Sequence, residues 1–395
     1  MTTTESSKKD TSGVDLPPPK EEHFLLYSAT RKIKDDDPGA EENITTFLRD
    51  KLKYSLRSEN LIVLSGAGSS IGFGGKTMPQ IWDLVEKDIP AFLEVLKHVN
   101  YTDEQKKLKN LENLLSVLQI EKQNLENKGE DAAKISGYID SIESKILSEC
   151  AFALPESAPH DFFLRKLLKA RKNIDPRIKI YNLNYDMSFE TASDRIGAVL
   201  IDGFSFSQRQ IFNPSTYDLD IVYREKSRIH SEESFFTKVL HLYKIHGSVS
   251  WSKDDKGFIS KEKGPISDPK KAVLIYPNSS KFERSYEMPF FELVSRFQNS
   301  LRKENTTLLI IGYSFNDDHI NRILREAIKS NSNLEVFIVK RGLDFANTLL
   351  NEFRSWIDNG LNDLHLLATK FEDFVKNIPE VVFDSDSTRE KIIKS

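Results

Sequence analysis

Four polar clusters contain the residues of this sequence whose types could do chemistry. Each follows a short apolar run, and together they supply small residues, amides, carboxylates and an imidazole. Backbone N–H groups of small residues can approach a phosphate, and serines add hydroxyl donors. An imidazole can accept a proton near neutral pH, and a carboxylate can stabilise developing positive charge. The clusters read Gly66-Ala67-Gly68-Ser69-Ser70, Asn182-Leu183-Asn184-Tyr185-Asp186, His246-Gly247-Ser248 and Gly312-Tyr313-Ser314-Phe315-Asn316-Asp317-Asp318.

The first cluster nearly matches two nucleotide-binding patterns and satisfies neither of them. The GxGxxG pattern requires a glycine at position 71, where the chain has Ile71. The Gly-x-x-x-x-Gly-Lys-[Ser/Thr] pattern can be anchored on Gly75-Lys76-Thr77, but it then requires a glycine in place of Ser70. These departures argue against an ordinary dehydrogenase loop and against a phosphate-binding ATPase loop. A tight turn without a ligand is the alternative to a phosphate-binding loop.

The second and third clusters contain the candidate acid–base groups. Asn184 can orient a hydroxyl or a water molecule, and Asp186 can stabilise positive charge or accept a proton. The alternative role for either side chain is to cap a helix that begins near Met187. His246 is the best candidate for a general base, and a purely structural histidine is its alternative. No set of His, Asp and Glu residues has a recognisable metal-binding spacing, so we expect no metal site.

The elements that must position these clusters alternate along the chain. Apolar runs without helical period predict strands, and the periodic segments between them predict helices. This alternation predicts an α/β fold with a Rossmann-like, mostly parallel sheet and helices on both faces. Because the carboxyl ends of parallel strands share one edge, the four clusters can converge there. The predicted strands are 61–64, 178–181, 198–201, 239–245, 273–276, 307–311, 336–339 and 364–368, and the predicted helices are 79–89, 161–172, 290–303, 317–330, 343–356 and 371–378.

Residues 103–149 interrupt the alternation. Leucines and then isoleucines recur at a spacing of three to four residues on either side of Asn127-Lys128-Gly129, which predicts an antiparallel helical hairpin with one apolar stripe. This hairpin is either an extra helical layer on its own domain or a surface for self-assembly or a partner. We therefore expect one large domain at 21–380 with a helical insertion at about 103–149, between a flexible tail at 1–20 and a charged tail at 381–395.

Composition limits the class of protein. The 395 residues carry a formal net charge of −4, which argues against a chain whose overall charge attracts nucleic acid or anionic lipid. The single cysteine, Cys150, excludes an intramolecular disulfide and any site built from several cysteine ligands. No run of about 18 apolar residues is available to span a membrane. We expect a cytoplasmic protein.

Taken together and in this order, the four clusters resemble the sirtuin superfamily of NAD-consuming enzymes. The first cluster is similar to the family's phosphate loop, Asn184 and Asp186 to its Asn-x-Asp element, and His246-Gly247 to its catalytic histidine–glycine. Gly312-Tyr313-Ser314 is similar to the glycine–serine loop on the later strand. The resemblance covers about residues 55–340, and more weakly continues to about residue 380. Sirtuin deacylases normally carry four zinc-binding cysteines, which this chain lacks.

The resemblance is therefore to zinc-free, sirtuin-like proteins of bacterial antiviral defence, which hydrolyse NAD. It implies an NAD glycohydrolase that releases nicotinamide and ADP-ribose and thereby depletes NAD during phage infection. Asn184 would orient the ribose or water, His246 would act as the base, and Asp186 would support the developing charge. The residues implied in NAD binding are Gly66, Ala67, Gly68, Ser69, Ser70, Gly247, Gly312 and Ser314. No zinc is expected.

Two other functional classes remain open from the sequence. An NAD-dependent protein deacylase would release nicotinamide only with an acyl-peptide, whereas a non-catalytic sensor would bind NAD or ADP-ribose without turnover. Because depletion of NAD harms the host, the resemblance also implies an enzyme held inactive by assembly or by a partner. We expect a homo-oligomer and a HerA-like hexameric ATPase as the partner.

Overall fold

The computed structural model of the protein describes residues 23–90, 92–223, 235–275 and 288–381. The predicted tail at 1–20 and residues 382–395 of the predicted C-terminal tail lie outside the described residues. The strands are β1 (Phe24–Ser28), β2 (Lys32–Lys34), β3 (Asn60–Ser65), β4 (Ile178–Asn182), β5 (Val199–Ile201), β6 (Val239–Lys244), β7 (Gly247–Lys253), β8 (Ile259–Lys261), β9 (Ala272–Leu274), β10 (Thr306–Ile311), β11 (Leu334–Lys340) and β12 (Leu364–Ala368).

The helices lie between these strands for most of the chain. They are α1 (Ala40–Ser55), α2 (Met78–Asp88), α3 (Phe92–His98), α4 (Asp103–Lys107), α5 (Leu111–Lys128), α6 (Ala133–Cys150), α7 (His160–Lys169), α8 (Ser188–Ile196), α9 (Phe290–Leu301), α10 (Asp318–Ser330), α11 (Thr348–Asp358) and α12 (Phe371–Asn377).

The main sheet is mostly parallel, which confirms the predicted α/β fold. Its strand order is β2-β1-β12-β11-β10-β3-β4-β6-β5. Every pairing from β12 to β5 is parallel, whereas β1 and β2 form an antiparallel edge. The chain proceeds outward from β3 towards β6 on one side and from β10 towards β12 on the other. The strand order therefore switches between β3 and β10, where ligands bind in sheets of this type.

The apolar runs predicted these strands because both faces of the sheet are buried. Every residue of β3 and β10 is buried, and successive side chains enter opposite cores. Ile62 and Leu64 pack in the core that contains α9, α10 and α11. Leu61 and Val63 pack in the core that contains α1, α7, α8 and α12. Each such side chain contributes about 1.5–3 kcal/mol on burial, so the two layers of helices hold the central strands firmly.

A third core forms around the helical segment between β3 and β4. Helices α5 and α6 are joined across Gly129, whose positive φ of 73° is typical of a helix C-cap. Their leucines and isoleucines pack against Trp82 of α2 and the aromatic and aliphatic side chains of α3. The observed hairpin differs from the predicted one at its start. The short helix α4 ends at Lys107, and the first long helix of the hairpin, α5, begins only after its N-cap residue Asn110. Leu108 is 72% exposed and does not belong to the apolar stripe.

Some parts of the chain differ from the sequence-based expectation. The predicted strand 273–276 forms part of β9, which lies in a separate antiparallel sheet of order β8-β7-β9 rather than in the parallel sheet. Tyr276, its predicted last residue, lies outside the described residues. The pattern also missed β1, β2, α1 and β7. Within the described ranges, no helix combines the length and apolar character needed to cross a bilayer.

Candidate active site

The four polar clusters lie along one edge of the sheet. Strands β6, β4, β3 and β10 are consecutive neighbours and parallel, so the segments that follow them share the carboxyl edge. Contacts join the first cluster to the second, the first to the fourth and the third to the fourth. The structure thus brings together groups that are as far apart in sequence as Gly66 and Asp317.

The glycines of the first and fourth clusters are required by close packing of two loops. The N–H of Gly68 donates to the carbonyl oxygen of Gly312 at 2.8 Å. A Cβ on Gly68 would lie 2.6 Å from the Cα of Gly312, and a Cβ on Gly66 would lie 2.8 Å from the Cα of Tyr313. Gly312 also has a positive φ of 63°. These contacts lie at the switch between β3 and β10, and they require glycine whether or not a phosphate binds.

Most amides of the first cluster are already hydrogen-bonded within the protein. The N–H of Gly66 donates to the carbonyl oxygen of Ile311 in β10, and that of Gly68 donates to Gly312 in the loop that follows β10. The N–H groups of Ser69 and Ser70 donate within the turn. Ala67 begins the 3-10 turn Ala67–Ser69, where an amide has no acceptor inside the turn. Its N–H has no acceptor among the described residues and is the main-chain donor that this loop offers to an anion.

Asn184 links the first two clusters through its amide group. Its Nδ2 donates to the carbonyl oxygen of Gly66 at 3.0 Å, to Ser69 Oγ at 3.2 Å and to Ser70 Oγ at 3.1 Å. Both hydroxyls are buried, and Ser69 Oγ also pairs with Ser65 Oγ at 2.8 Å. The serines therefore bind Asn184 and the loop itself. Because Nδ2 is committed to the protein, the side-chain oxygen of Asn184 is the end that can accept a hydrogen bond from a ligand.

Asp186 accepts hydrogen bonds both from the start of α8 and from the first cluster. Its Oδ1 accepts from the backbone N–H of Ser188, the first residue of α8, at 3.0 Å, although the N-cap position of α8 is occupied by Met187. Its Oδ2 accepts from Ser70 Oγ at 2.8 Å, which ties the carboxylate to the first cluster. Asp186 is only 5% exposed. The residue is therefore a fixed, buried carboxylate two positions from the partly exposed Asn184.

A buried ion pair supports the second cluster. Lys244, at the end of β6, is 1% exposed in its side chain, and its Nζ donates to the backbone oxygen of Asp186. The same Nζ lies 3.3 Å from Glu190 Oε1 on α8. Burial raises the pKa of Glu190, and the positive charge of Lys244 opposes that increase. Lys244, held by Glu190, thus fixes the position of the main chain at Asp186.

His246 pairs with a carboxylate from the fourth cluster. Its Nε2 lies 3.1 Å from Asp317 Oδ2, and the two side chains are 12% and 10% exposed. Asp317 is itself held in place because its Oδ1 accepts from the backbone N–H groups of His319 and Ile320 at the start of α10. The imidazole and carboxylate reach each other across the ends of β4 and β3. Such a partner fixes the orientation and tautomer of the ring.

The other members of the third and fourth clusters have different surroundings. Gly247 has a φ of 88°, and a Cβ there would lie 2.0 Å from the carbonyl oxygen of Val273, so glycine permits β9 to pair beside His246. Ser314 is exposed. Tyr313 is buried, and its hydroxyl donates to the backbone oxygen of Asp317 and to Asn321 Oδ1. The fourth cluster is therefore a hydrogen-bonded loop that holds Asp317 in position.

A cleft of about 230 Å³ opens at the carboxyl ends of β10, β11 and β12. It lies on the other side of the glycine contact from Asn184 and His246, neither of which lines it. The edge of the sheet therefore has an acid–base side over β4 and β6 and a cleft side over β10 to β12. Its lining includes Gly68, Gly312, Lys340, Arg341, Lys370 and Glu372.

Cys150 is not placed to act as a reactive thiol. Burial raises the pKa of the Cys150 thiol to about 12, so the thiol stays protonated and unreactive at neutral pH although the residue retains some exposed surface. Among the described residues, no group of three His, Cys, Asp or Glu side chains is placed to hold a metal ion.

Sequence reasoning missed three residues of this arrangement. Asp317 belonged to a cluster that we recognised, but nothing in its spacing could reveal a partner 71 positions earlier, at His246. Lys244 gave a usable signal, because a lysine inside a buried apolar strand requires a counter-charge. Its partner Glu190 could not be identified without the packing of α8 against β6.

A comparison with known families gives a match over part of the chain. Residues 179–354 match the family model described as SIR2-like domain. The match runs from β4 into α11 and includes Asn184, Asp186, His246 and Gly312, whereas the first cluster precedes it. It supports a sirtuin-like family and NAD-dependent activity in general. No curated protein matches the chain.

Proposed function

We propose that this protein is an NAD glycohydrolase, which cleaves the bond between nicotinamide and ribose to give nicotinamide and ADP-ribose. The observation that carries the proposal is the pairing of His246 with Asp317 on the same sheet edge as the Asn184–Asp186 cluster. A sirtuin-like domain suggests NAD chemistry in general. The chain has one cysteine, so it lacks the four zinc-binding cysteines that sirtuin deacylases normally carry, and this favours hydrolysis over deacylation.

The reaction makes demands that these residues meet. The nicotinamide ring nitrogen of NAD is already cationic, so the leaving group needs no general acid. Cleavage passes through a transition state with positive charge on the ribose, and the protein must hold the ribose and direct water to the anomeric carbon. Asp186 supplies a fixed negative charge for that state. Asn184 supplies an amide oxygen for a ribose hydroxyl or for the water molecule.

His246 is the base that removes a proton from this water or from a ribose hydroxyl. Its Nε2 pairs with Asp317, so Nδ1 is the nitrogen that accepts the proton. The carboxylate stabilises the imidazolium that forms, as in other His–Asp pairs. This division of roles explains why a histidine on one loop and an aspartate on another are placed within 3.1 Å.

Turnover of NAD by site-directed variants tests the assignment. Asn184→Ala and His246→Ala should fold normally and lose about 10²-fold or more in the rate of nicotinamide release. His98→Ala is the matched control, because His98 lies on α3 with an exposed side chain away from the four clusters. Equal activity of all four proteins would overturn the assignment.

Product analysis separates this function from its competitors. Release of nicotinamide only when acyl-peptide is added would identify a deacylase. Thermal stabilisation by NAD without product, even when the proposed activating ATPase is present, would identify a binding sensor. Nicotinamide and ADP-ribose formed in the absence of peptide are the result that we expect.

We further propose that the reaction serves antiviral defence by depleting NAD, and that assembly controls it. The resemblance to zinc-free, sirtuin-like defence proteins supports a homo-oligomer and a HerA-like hexameric ATPase as the activating partner. Helices α5 and α6 offer a contact surface outside the two cores of the main sheet. Size measurement with and without the ATPase, together with an NAD assay, tests this. An unchanged assembly state and activity would contradict it.

A further inference from the structure

The cleft at the ends of β10, β11 and β12 has a charge that the proposed reaction does not use. Three of its lining residues are cationic, namely Lys340, Arg341 and Lys370, and the lining contains one carboxylate, that of Glu372. Three positive charges against one negative charge leave a formal excess of two. Arg341 and Lys370 are exposed, so their side chains can reorient towards a ligand.

The main chain that carries these cations is held firmly. Lys340 is the last residue of β11 and pairs with Ala368 of β12. The backbone N–H of Thr369 donates to the carbonyl oxygen of Lys340 at 2.8 Å. The Lys340 Nζ lies 5.8 Å from the centre of the Phe315 ring, over the fourth cluster. Burial lowers the pKa of Lys340, and the negative charge of Asp344 opposes that decrease, so this ammonium group is partly desolvated.

The position of the cleft identifies which part of a dinucleotide it faces. In the proposed function, the nicotinamide ribose lies at Asn184 and His246, over β4 and β6. A dinucleotide that crosses the glycine contact between Gly68 and Gly312 then places its other nucleoside over β10 to β12. The cleft begins at those two glycines. Its cations consequently surround the adenosine half of the substrate, beyond the pyrophosphate.

We propose that this cleft recognises a phosphate group on the adenosine ribose, so that the enzyme accepts the 2′-phosphorylated dinucleotide NADP at least as well as NAD. In Rossmann-like sites, an acidic side chain hydrogen-bonds the free 2′-hydroxyl, whereas an arginine accommodates a 2′-phosphate. Arg341 and Lys340 stand at a strand end next to the switch point. A guanidinium group binds phosphate through two parallel hydrogen bonds. The inference rests on the proposed function for the orientation of the dinucleotide.

Binding of adenosine fragments tests the cleft without requiring catalysis. The full-length protein should bind adenosine 2′,5′-bisphosphate about tenfold more tightly than adenosine 5′-monophosphate in calorimetric titrations. Arg341→Gln should remove most of this difference and leave the affinity for the monophosphate nearly unchanged. Lys53→Gln is the matched control, because Lys53 is exposed in the last turn of α1, which leads into the amino end of β3. Equal affinities for the two nucleotides in the unaltered protein would overturn the inference.

Turnover distinguishes failure of this inference from failure of the proposed function. The inference predicts that kcat/KM for NADP equals or exceeds that for NAD, and that Arg341→Gln lowers the NADP value about tenfold through KM. Hydrolysis of NAD with negligible hydrolysis of NADP would refute the phosphate site and leave the proposed function intact. Preferential binding of the bisphosphate, with no hydrolysis of either dinucleotide even when the proposed activating ATPase is present, would support the cleft and refute the proposed function.

Discussion

His160 should make the stability of this protein sensitive to acid. The residue begins α7 and is fully buried, and neither ring nitrogen has a hydrogen-bond partner in the described structure. Its ring meets Phe371, Phe189 and Phe73 edge-on, with centroid distances of 5.1, 5.3 and 6.0 Å. Burial lowers the pKa of His160 from 6.5 to about 4, and Arg195 lowers it further while Asp186 opposes the shift.

The size of the effect follows from this pKa. The folded protein binds the proton less well than the unfolded chain, so the contribution of His160 is fully present above pH 6.5 and is lost as the pH falls towards 4. With these two values, the loss relative to pH 8 is about 2 kcal/mol at pH 5 and about 3 kcal/mol at pH 4. His241, whose pKa burial also lowers to about 4, adds a similar loss.

His160→Phe should remove the contribution of His160 to this loss of stability at low pH. Phenylalanine preserves the edge-on ring contacts and buries no unpaired nitrogen, so the variant should be about as stable as the unaltered protein at pH 8. Between pH 8 and pH 5, the free energy of unfolding of the variant, measured in urea, should fall by about 2 kcal/mol less than that of the unaltered protein. The control is His365→Phe, which loses hydrogen bonds to Ser28 and Glu335 and should destabilise the protein already at pH 8.

An unchanged pH dependence in His160→Phe would refute this reasoning. It would mean that His160 finds a partner for its proton in the folded state, and that the aromatic surroundings do not exclude water from the ring.

Three further substitutions test other parts of the structure. Asp317→Asn keeps the cap of α10 but removes the charge beside His246, the proposed base. NAD turnover should therefore fall about 10²-fold with an unchanged melting temperature. A normal rate would contradict the proposed role of the pair. Lys244→Met leaves the carboxylate of Glu190 buried and unpaired, and should cost about 3–5 kcal/mol of unfolding free energy. Glu190→Gln in the same protein should restore part of this loss. A loss of less than about 1 kcal/mol, the value of a surface ion pair, would argue against a buried ion pair. Gly312→Ala places a Cβ 2.5 Å from the facing backbone of the first cluster. It should lower the melting temperature far more than Gly129→Ala, because Gly129 has a similar φ but open space around it. Equal decreases in melting temperature would show that the two loops do not pack closely.

The central strands could be predicted because their physical signal is local. Residues 61–64 and 307–311 are continuous apolar runs that end in glycine-containing turns, and β3 and β10 are buried on both faces. The same runs fixed where the polar clusters begin. The parallel arrangement then followed from the alternation of strands and helices, and with it the expectation that the clusters share one edge.

The edge of the fold could not be predicted in the same way. Strands β1 and β2 are short and pair antiparallel at the side of the sheet, so neither has the long apolar run of a central strand. Strand β9 resembles a parallel strand in sequence, but the turn at Gly247 directs β7 away from the main sheet and pairs it with β9. Which strand pairs with which at this point depends on the path of the chain rather than on the local sequence pattern.

The candidate site could likewise be predicted only in part. The residue types at Asn184, Asp186 and His246 indicated which groups could act, and the sheet explained why they could be neighbours. The hydrogen bonds that orient them, from Asn184 to the first cluster and from His246 to Asp317, join segments that are distant in sequence. No spacing rule encodes such contacts, because they result from the packing of loops against one another.

The rate at which the assembled protein releases nicotinamide from NAD, in the absence of any acyl-peptide, tests the central claim most directly. The account predicts that nicotinamide and ADP-ribose are formed in equal amounts, and that Asn184→Ala forms both products at least about 10²-fold more slowly. Intact NAD after incubation with the protein and its activating partner, or undiminished release by Asn184→Ala, would contradict it.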